Sequence, residues 1–162
     1  MKKKLSLLLS VLLLLGIWLL GGFEEKPADV ANPAPTVAGL VDTVQLDEEE
    51  WYYSAEDVAL YLHTYGHLPN NYITKDEARS LGWEGGSVEK YAPGLAIGGD
   101  SFGNREGLLP EKKGRWYYEC DVDTYGKNDR GSHRLVYSSD GLIYYTEDHY
   151  ESFTLLYGEV SG

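Results

Sequence analysis

Three short runs of aromatic and branched aliphatic residues in the second half of the chain limit its possible folds more than any other feature. The runs are GRWYYECDV (residues 114–122), HRLVYSS (133–139) and GLIYYTED (141–148). Turns are predicted at residues 129–132 and 139–141, which consist mainly of Gly, Asp and Ser. Short runs of this composition, separated by turns, predict the strands of an antiparallel sheet.

Two helices are predicted before these strands. The first covers residues 54–69, with Ser54 as its N-cap and Gly66 near its end. Its apolar residues recur every three or four positions, so one face of the helix is expected to be buried. The second covers residues 74–83 and begins with a capping box at Thr74. Helices followed by strands predict an α+β fold in which the helices pack on one face of the sheet.

The N-terminal residues 1–23 are typical of a secretory signal peptide. Three lysines at positions 2–4 are followed by a leucine-rich apolar run. A run of this length also suits a retained membrane anchor. Residues 24–50 are rich in Pro, Ala and acidic residues and predict a linker or a propeptide. The globular domain is predicted to cover residues 51–162.

Cysteine content and charge narrow the class of protein further. The chain has a single cysteine, Cys120, which excludes an internal disulfide framework. Its stability must come from an apolar core, and Cys120 is expected to be a small buried side chain within it. The net charge is −12, and residues 51–162 carry ten Lys and Arg against eighteen Asp and Glu. Any site for a polyanion must therefore be a local cluster of cations.

The candidate chemistry lies on the predicted strands. Strand alternation places Glu119 on one face, His149 follows the third run, and Arg130 and Arg134 flank a tight turn. A carboxylate and a histidine surrounded by cations suit the cleavage of a phosphodiester by acid–base catalysis. A structural role fits the same residues. In that alternative Glu119 lies on a solvated strand face, His149 is held by hydrogen bonds, and the arginines pair with Asp121, Asp123 or Asp129.

A metal site is not favoured by the sequence. His63 and His67 have the spacing of metal ligands, but HTYGH lacks the Glu of a zinc-protease motif. Gly66 also interrupts the helix between the two histidines. The sequence contains no Walker-type loop, no GxSxG elbow and no Cys/His zinc spacing. We therefore expect neither a metal nor a cofactor.

Three longer segments resemble the barnase branch of the microbial guanyl-specific ribonucleases. They are YLHTYGHLPNNYITKDEARSLGW, APGLAIGGDSFGNREGLLP and RLVYSSDGLIYYTEDHYESFT, and the resemblance covers residues 52–156. It implies the microbial ribonuclease fold, with N-terminal helices packed on one face of a five-stranded antiparallel sheet and the active site on the other face. It also implies a secreted, extracellular, monomeric endoribonuclease that prefers guanine, needs no metal and cleaves RNA through a 2′,3′-cyclic phosphate.

The resemblance implies a role for each site residue. Glu119 matches the general base, and His149 matches the general acid. Arg134, Arg130 and Lys75 match the cations that hold the phosphate. Arg105 is expected to contribute to phosphate binding, and Tyr150 to lie beside the base or sugar. The loop that reads guanine would consist of Phe102, Gly103, Asn104, Arg105 and Glu106, with the Glu106 carboxylate accepting hydrogen bonds from the base.

Partners and rival functions follow from the same resemblance. The substrate would be RNA, and a barstar-like inhibitor or an immunity protein would bind the enzyme. If the apolar leader were retained, the chain would be a membrane-anchored or contact-delivered toxin ribonuclease. A third reading is an RNA-binding module that has lost its activity. All five residues of the implied catalytic group are present in the sequence, which argues against that reading.

Overall fold

A computed structural model describes residues 45–160 of the chain. The helices are α1 (Ala55–Tyr65), α2 (Lys75–Ser80) and a 3₁₀ helix (Val88–Lys90). The strands are β1 (Tyr72–Ile73), β2 (Ala96–Phe102), β3 (Tyr117–Asp121), β4 (Arg134–Ser138), β5 (Ile143–Thr146) and β6 (Thr154–Tyr157). The predicted signal peptide, and the predicted linker as far as residue 44, lie outside the described residues. Within residues 45–160, no helix has the length and apolarity needed to cross a bilayer.

The six strands form one sheet in chain order, from β1 to β6. β1 runs parallel to β2, and every other neighbouring pair is antiparallel. The parallel pair is joined through α2 and the 3₁₀ helix, because parallel strands need a crossover connection. The predicted α+β fold is confirmed. The five expected antiparallel strands are present, and the two-residue β1 extends the sheet by a sixth.

Helix α1 begins at its predicted N-cap and ends at Gly66, before the predicted limit at residue 69. The Ser54 hydroxyl accepts the backbone N–H of Asp57 at 3.1 Å, which satisfies a free donor of the first turn. Gly66 adopts a left-handed conformation with φ 79° and donates its N–H to Leu62. The apolar face of the helix packs on the sheet around Leu135 and Cys120, which is 1% exposed. Burial of the single cysteine is therefore confirmed.

At position 98, strand β2 lies so close to its neighbours that a side chain larger than that of glycine would clash. A Cβ atom at Gly98 would lie 2.6 Å from the Cβ of Cys120 and 2.6 Å from the ring of Tyr72. A bulge follows at Gly99, which has φ 91°. The next residue, Asp100, accepts the backbone N–H of Lys75 at 3.0 Å. The glycine pair thus fixes β2 against β3 and joins it to the start of α2.

The face of the sheet opposite α1 is divided into an apolar part and a polar part. The apolar part is a second core formed by Leu109, Tyr117, Val136, Leu142 and Tyr144. The polar part contains Glu119, Asp121 and Arg134, which are only 8%, 2% and 2% exposed. The alternative in which Glu119 lies on a solvated strand face is therefore wrong. Loops cover it, and its charged groups are buried together.

Contacts with α1 begin within the predicted linker. Leu46 is 7% exposed. Its carbonyl oxygen accepts the hydroxyl of Tyr65 at 2.6 Å, and the carbonyl oxygen of Glu48 accepts the hydroxyl of Tyr61 at 2.9 Å. The segment of residues 45–50 is thus held on the helix by tyrosines that project from it.

Candidate active site

Glu119 lies at the centre of the polar part of the sheet. Its carboxylate accepts hydrogen bonds from the Lys75 ammonium group and from the Tyr150 hydroxyl. Burial by itself would raise the pKa of Glu119. The hydrogen bonds from Lys75 and Tyr150, together with the charges of Lys75 and Arg130, outweigh burial and hold this pKa below its ordinary value. Glu119 is therefore a carboxylate at neutral pH, as a general base must be.

Lys75 reaches Glu119 from the first residue of α2. The capping box predicted at Thr74 is present, since Thr74 and Glu77 satisfy each other's backbone N–H groups. The backbone N–H of Lys75 is held by Asp100. With its backbone fixed in this way, the lysine presents its ammonium group to β3.

Asp121 holds both arginines of the predicted site. Arg130 pairs with it through two bonds, Nε to Oδ2 at 2.6 Å and Nη2 to Oδ1 at 2.8 Å. Arg134 is its cross-strand neighbour, with Nε 2.9 Å from Oδ1. That Nε–H is poorly aligned with the carboxylate and has no other acceptor within residues 45–160. The predicted pairing of Arg130 with an aspartate is thus observed. The two arginines, Asp121, Glu119 and Lys75 together form a charged cluster.

The two arginines differ in what their guanidinium groups can reach. The Nη atoms of Arg134 donate to the carbonyl oxygens of Arg130, Gly131 and His133, and its side chain is 3% exposed. The side chain of Arg130 is 24% exposed. Arg130 can therefore meet a ligand directly, whereas Arg134 acts as a buried positive charge beneath it.

His149 lies in a loop with an uncommon backbone conformation. His149 has φ 60° and Tyr150 has φ 79°, both in the left-handed region. The Asp148 carboxylate fastens the loop by accepting the backbone N–H groups of Glu151 and Ser152, at 3.0 and 2.9 Å. Thr146 accepts the N–H of Tyr150 at 3.0 Å. The loop holds His149 exposed to solvent, where an acid can meet a substrate.

A cavity of about 840 Å³ lies between this loop and residues 101–106. His149 and Tyr150 line one side, and Arg105 and Glu106 line the other with exposed side chains. The second loop is braced by Asn104, which exchanges two hydrogen bonds with the backbone of Leu109 at 2.9 and 3.0 Å. The cavity is lined by every residue predicted to bind substrate outside the catalytic group: Phe102, Gly103, Asn104, Arg105, Glu106 and Tyr150.

Tyr150 connects the cavity to the charged cluster. Its ring lines the cavity 5.2 Å from the ring of Phe102, while its hydroxyl bonds to Glu119. Burial, followed by the hydrogen bond to Glu119, raises the pKa of Tyr150, so the hydroxyl stays a donor. The resemblance predicts Tyr150 beside the base or sugar, and no pattern in the sequence indicates its bond to the Glu119 carboxylate.

Two further contacts of the cluster were also missed. The guanidinium of Arg130 lies 5.7 Å from the centre of the Trp83 ring, within the range of a cation–π contact. Asp100 connects the β2 bulge to Lys75. Neither contact has a local signal in the sequence, because both join residues that are far apart along the chain.

His63 and His67 have other partners. The His63 ring stacks on Tyr157 at 4.4 Å, and His67 Nε2 lies 3.2 Å from Glu48 Oε1. Among the residues that the structure describes, no group of three or more His, Cys, Asp or Glu side chains is arranged to hold a metal ion. The site combines a buried carboxylate, an exposed histidine and several cations. Such a set is typical of acid–base catalysts that act on phosphate esters, a class in which a protein of this fold is expected.

Comparisons with known proteins agree with this class. A family model described as ribonuclease matches residues 55–157. A ribonuclease of Bacillus intermedius is 42% identical over 159 residues, covering 94% of this chain and 98% of that protein. A ribonuclease of Heyndrickxia coagulans is 52% identical over 100 residues, covering 60% of this chain and 91% of that protein. The guanyl-specific ribonuclease St of Saccharopolyspora erythraea is 49% identical over 57 residues, covering 35% and 56% respectively.

The chain belongs to the ribonuclease family. It is an endoribonuclease, and the resemblance seen in its sequence motifs is confirmed. RNA is accordingly its substrate.

Proposed function

We propose that this endoribonuclease is exported and cleaves RNA after guanosine by metal-free acid–base catalysis. The observation that carries the proposal is the Glu119 carboxylate, held ionised by Lys75 and Tyr150 beside the cavity that contains His149. RNA supplies its own nucleophile, the 2′-hydroxyl, so the protein needs only to move two protons and stabilise charge.

In the first step Glu119 removes the proton of the 2′-hydroxyl. The 2′-oxygen forms a bond to phosphorus, the bond from phosphorus to the 5′-oxygen breaks, and His149 protonates the departing oxygen. A carboxylate has about four acceptor sites, so Glu119 can bind the hydroxyl while it keeps its contacts to Lys75 and Tyr150. The product is a 2′,3′-cyclic phosphate, which water opens when the two groups exchange roles.

The cations stabilise the extra negative charge of the crowded phosphorus species. Lys75 and the partly exposed Arg130 lie where they can reach phosphate oxygens, while Arg134 adds its charge from below. Their effect is strongest when the phosphoryl group carries most charge, which accelerates the reaction more than it tightens substrate binding.

The guanine preference is supported by the cavity and by relatives whose names describe them as guanyl-specific ribonucleases. An exposed Glu106 carboxylate at the cavity wall can accept the ring N–H and the exocyclic amine of guanine together. Adenine offers no such pair of donors on that edge, so it could not make the two hydrogen bonds that guanine makes.

Export rests on the lysine-rich start and apolar run of residues 1–23. An inhibitor or immunity protein as partner, and a monomeric state, stay predictions of the resemblance. An inactive RNA-binding module is disfavoured, because the structure assembles Glu119, Lys75 and both arginines in one cluster.

The proposal is tested by incubating the purified protein with the dinucleotides GpU and ApU in the presence of EDTA. We expect guanosine 2′,3′-cyclic phosphate from GpU, much slower cleavage of ApU, and no product from GpU after Glu119→Gln. A reaction that stops on adding EDTA, or that proceeds equally on both dinucleotides, would contradict the proposal.

A further inference from the structure

A second cavity, of about 620 Å³, lies beside the first one, and the mechanism above does not use it. The two cavities share residues 101–104 as a common wall. At the middle of this wall stands Gly103, which has no side chain, is exposed, and adopts an ordinary backbone conformation. A polymer that occupies the first cavity can therefore continue across Gly103 into the second.

Trp116 gives the second cavity an exposed aromatic surface. It is 70% exposed, more than any other large apolar residue found at the surface of residues 45–160. Its backbone is fixed by Ser139, whose Oγ accepts the Trp116 N–H at 3.1 Å and whose N–H donates to the Trp116 carbonyl oxygen at 2.8 Å. A rigid backbone with an uncovered indole suits stacking on a nucleic-acid base, since every base has a π face.

Cations lie next to this indole. Lys112, Lys113 and Arg115 fall within four consecutive residues and line the cavity. Arg115 is bound by Asp140 through two bonds of 2.8 and 2.9 Å and is neutralised there. The Lys112 ammonium lies 3.5 Å from Asp140, and Lys113 has no ion pair or hydrogen bond with any described side chain.

The two lysines form a local positive surface on a chain that is acidic as a whole. The net charge is −12, so general electrostatic attraction does not bring a polyanion to this surface. One carboxylate, that of Glu111, also lines the cavity. Two exposed lysines beside an exposed indole are thus a local site for a base and its phosphate.

We propose that this cavity binds the nucleotide on the 5′ side of the guanosine, with its base stacked on Trp116 and a phosphate held by Lys112 and Lys113. The inference rests on the proposed function, because that function sets the direction of the strand. The bond to be cleaved lies on the 3′ side of the guanosine, next to His149. His149 and Tyr150 line the first cavity but not the second, so the strand enters the second cavity by its 5′ side.

The test compares the dinucleotide GpU with the trinucleotide UpGpU as substrates. We expect kcat/KM for cleavage after guanosine to be about tenfold higher for UpGpU, as stacking of one base on an aromatic side chain would give. Trp116→Ala should remove most of this advantage and leave the rate on GpU unchanged. Trp116→Phe should keep part of it, and Lys113→Ala should lower it in a salt-dependent way.

Lys127→Ala is the matched control, since it removes one exposed lysine that does not line either cavity. It should leave both substrates unaffected. Equal kcat/KM for GpU and UpGpU in the unmodified protein would overturn the inference, and so would a Trp116→Ala variant that slows both substrates to the same degree. Failure of the proposed function would look different, because GpU itself would not be cleaved.

Discussion

At Glu119, two physical effects act on one carboxyl group in opposite directions. Burial favours the neutral acid, while the hydrogen bonds and charges of its neighbours favour the carboxylate and prevail. Because its folded-state pKa lies below its ordinary value, the contacts stabilise the fold above that value and are lost as the pH falls through the lowered pKa. In the proposed mechanism, the same contacts keep Glu119 ionised, and so able to accept a proton, in mild acid.

Replacing Lys75 with Met should therefore move the acidic limb of the kcat/KM profile to higher pH. The variant loses the hydrogen bond that contributes most to lowering the pKa of Glu119, together with the charge of the lysine, and burial then acts with less opposition. The profile is measured on GpU from about pH 3 to 9, a range that contains the ordinary pKa values of both Glu and His. Lys90→Met removes an exposed lysine and serves as the control. An acidic limb at the same pH in Lys75→Met and in the unmodified protein would show that Lys75 does not lower the pKa of Glu119.

At the scale of elements, the loop after β5 shows how a functional residue is held in place. His149 and Tyr150 occupy left-handed backbone conformations, which the bonds to Asp148 and Thr146 maintain. The side-chain bond from Ser152, then its backbone bond and the bond from Thr146, lower the pKa of Asp148 to about 2. The folded loop therefore favours the ionised form of Asp148.

We expect Asp148→Asn to lower Tm at neutral pH. The folded-state pKa of Asp148 lies below its ordinary value, so its contribution is complete above about pH 4 and disappears as the pH falls towards 2. The difference in Tm between the two proteins should shrink over the same interval. Thermal unfolding followed by circular dichroism at several pH values measures it.

Glu147→Gln, which removes an exposed neighbouring carboxylate, should change Tm little at any pH. A difference between Asp148→Asn and the unmodified protein that stays constant from neutral pH down to pH 2 would contradict the role given to the charge of Asp148.

In the whole molecule, the helices and strands that have a local sequence pattern were predicted. Contacts between residues that are far apart along the chain were mostly not. The N-cap of α1, the capping box of α2 and strands β3 to β5 follow from spacing and alternation, and the structure confirms them. Strand β1 has only two residues, and β6 is largely exposed, so neither shows an alternating pattern. The motif resemblance predicted the site residues, but the sequence left Asp121, Asp123 and Asp129 open as partners of the arginines. Only the folded chain shows that Asp121 pairs with both.

The structure of residues 45–50, in the acidic segment before the domain, also depends on contacts with residues distant in sequence. Its composition predicts a linker, yet Leu46 is buried and tyrosine hydroxyls of α1 bind the backbone of Leu46 and Glu48. A chain that begins at residue 51 should therefore have a Tm several degrees below that of a chain beginning at residue 45. Loss of one buried leucine costs about 2 kcal/mol, which is enough for such a shift.

The shortened chain should cleave GpU at an unchanged rate, because α1 lies on the sheet face opposite Glu119. Leu46→Ala in the longer chain should reproduce part of the loss in Tm. Equal Tm values for the two chains would show that the segment adds nothing to stability.

In the proposed mechanism Glu119 and His149 transfer the two protons of the cleavage step. Their roles can be separated by measuring kcat/KM of His149→Ala on GpU and on a guanosine 3′-phosphate ester with a nitrophenol leaving group. Nitrophenolate departs without a proton, so the variant should lose most of its activity on GpU and keep it on the ester, whereas Glu119→Ala should lose both. An equal loss on the two substrates in His149→Ala would show that His149 is not the acid that protonates the leaving group.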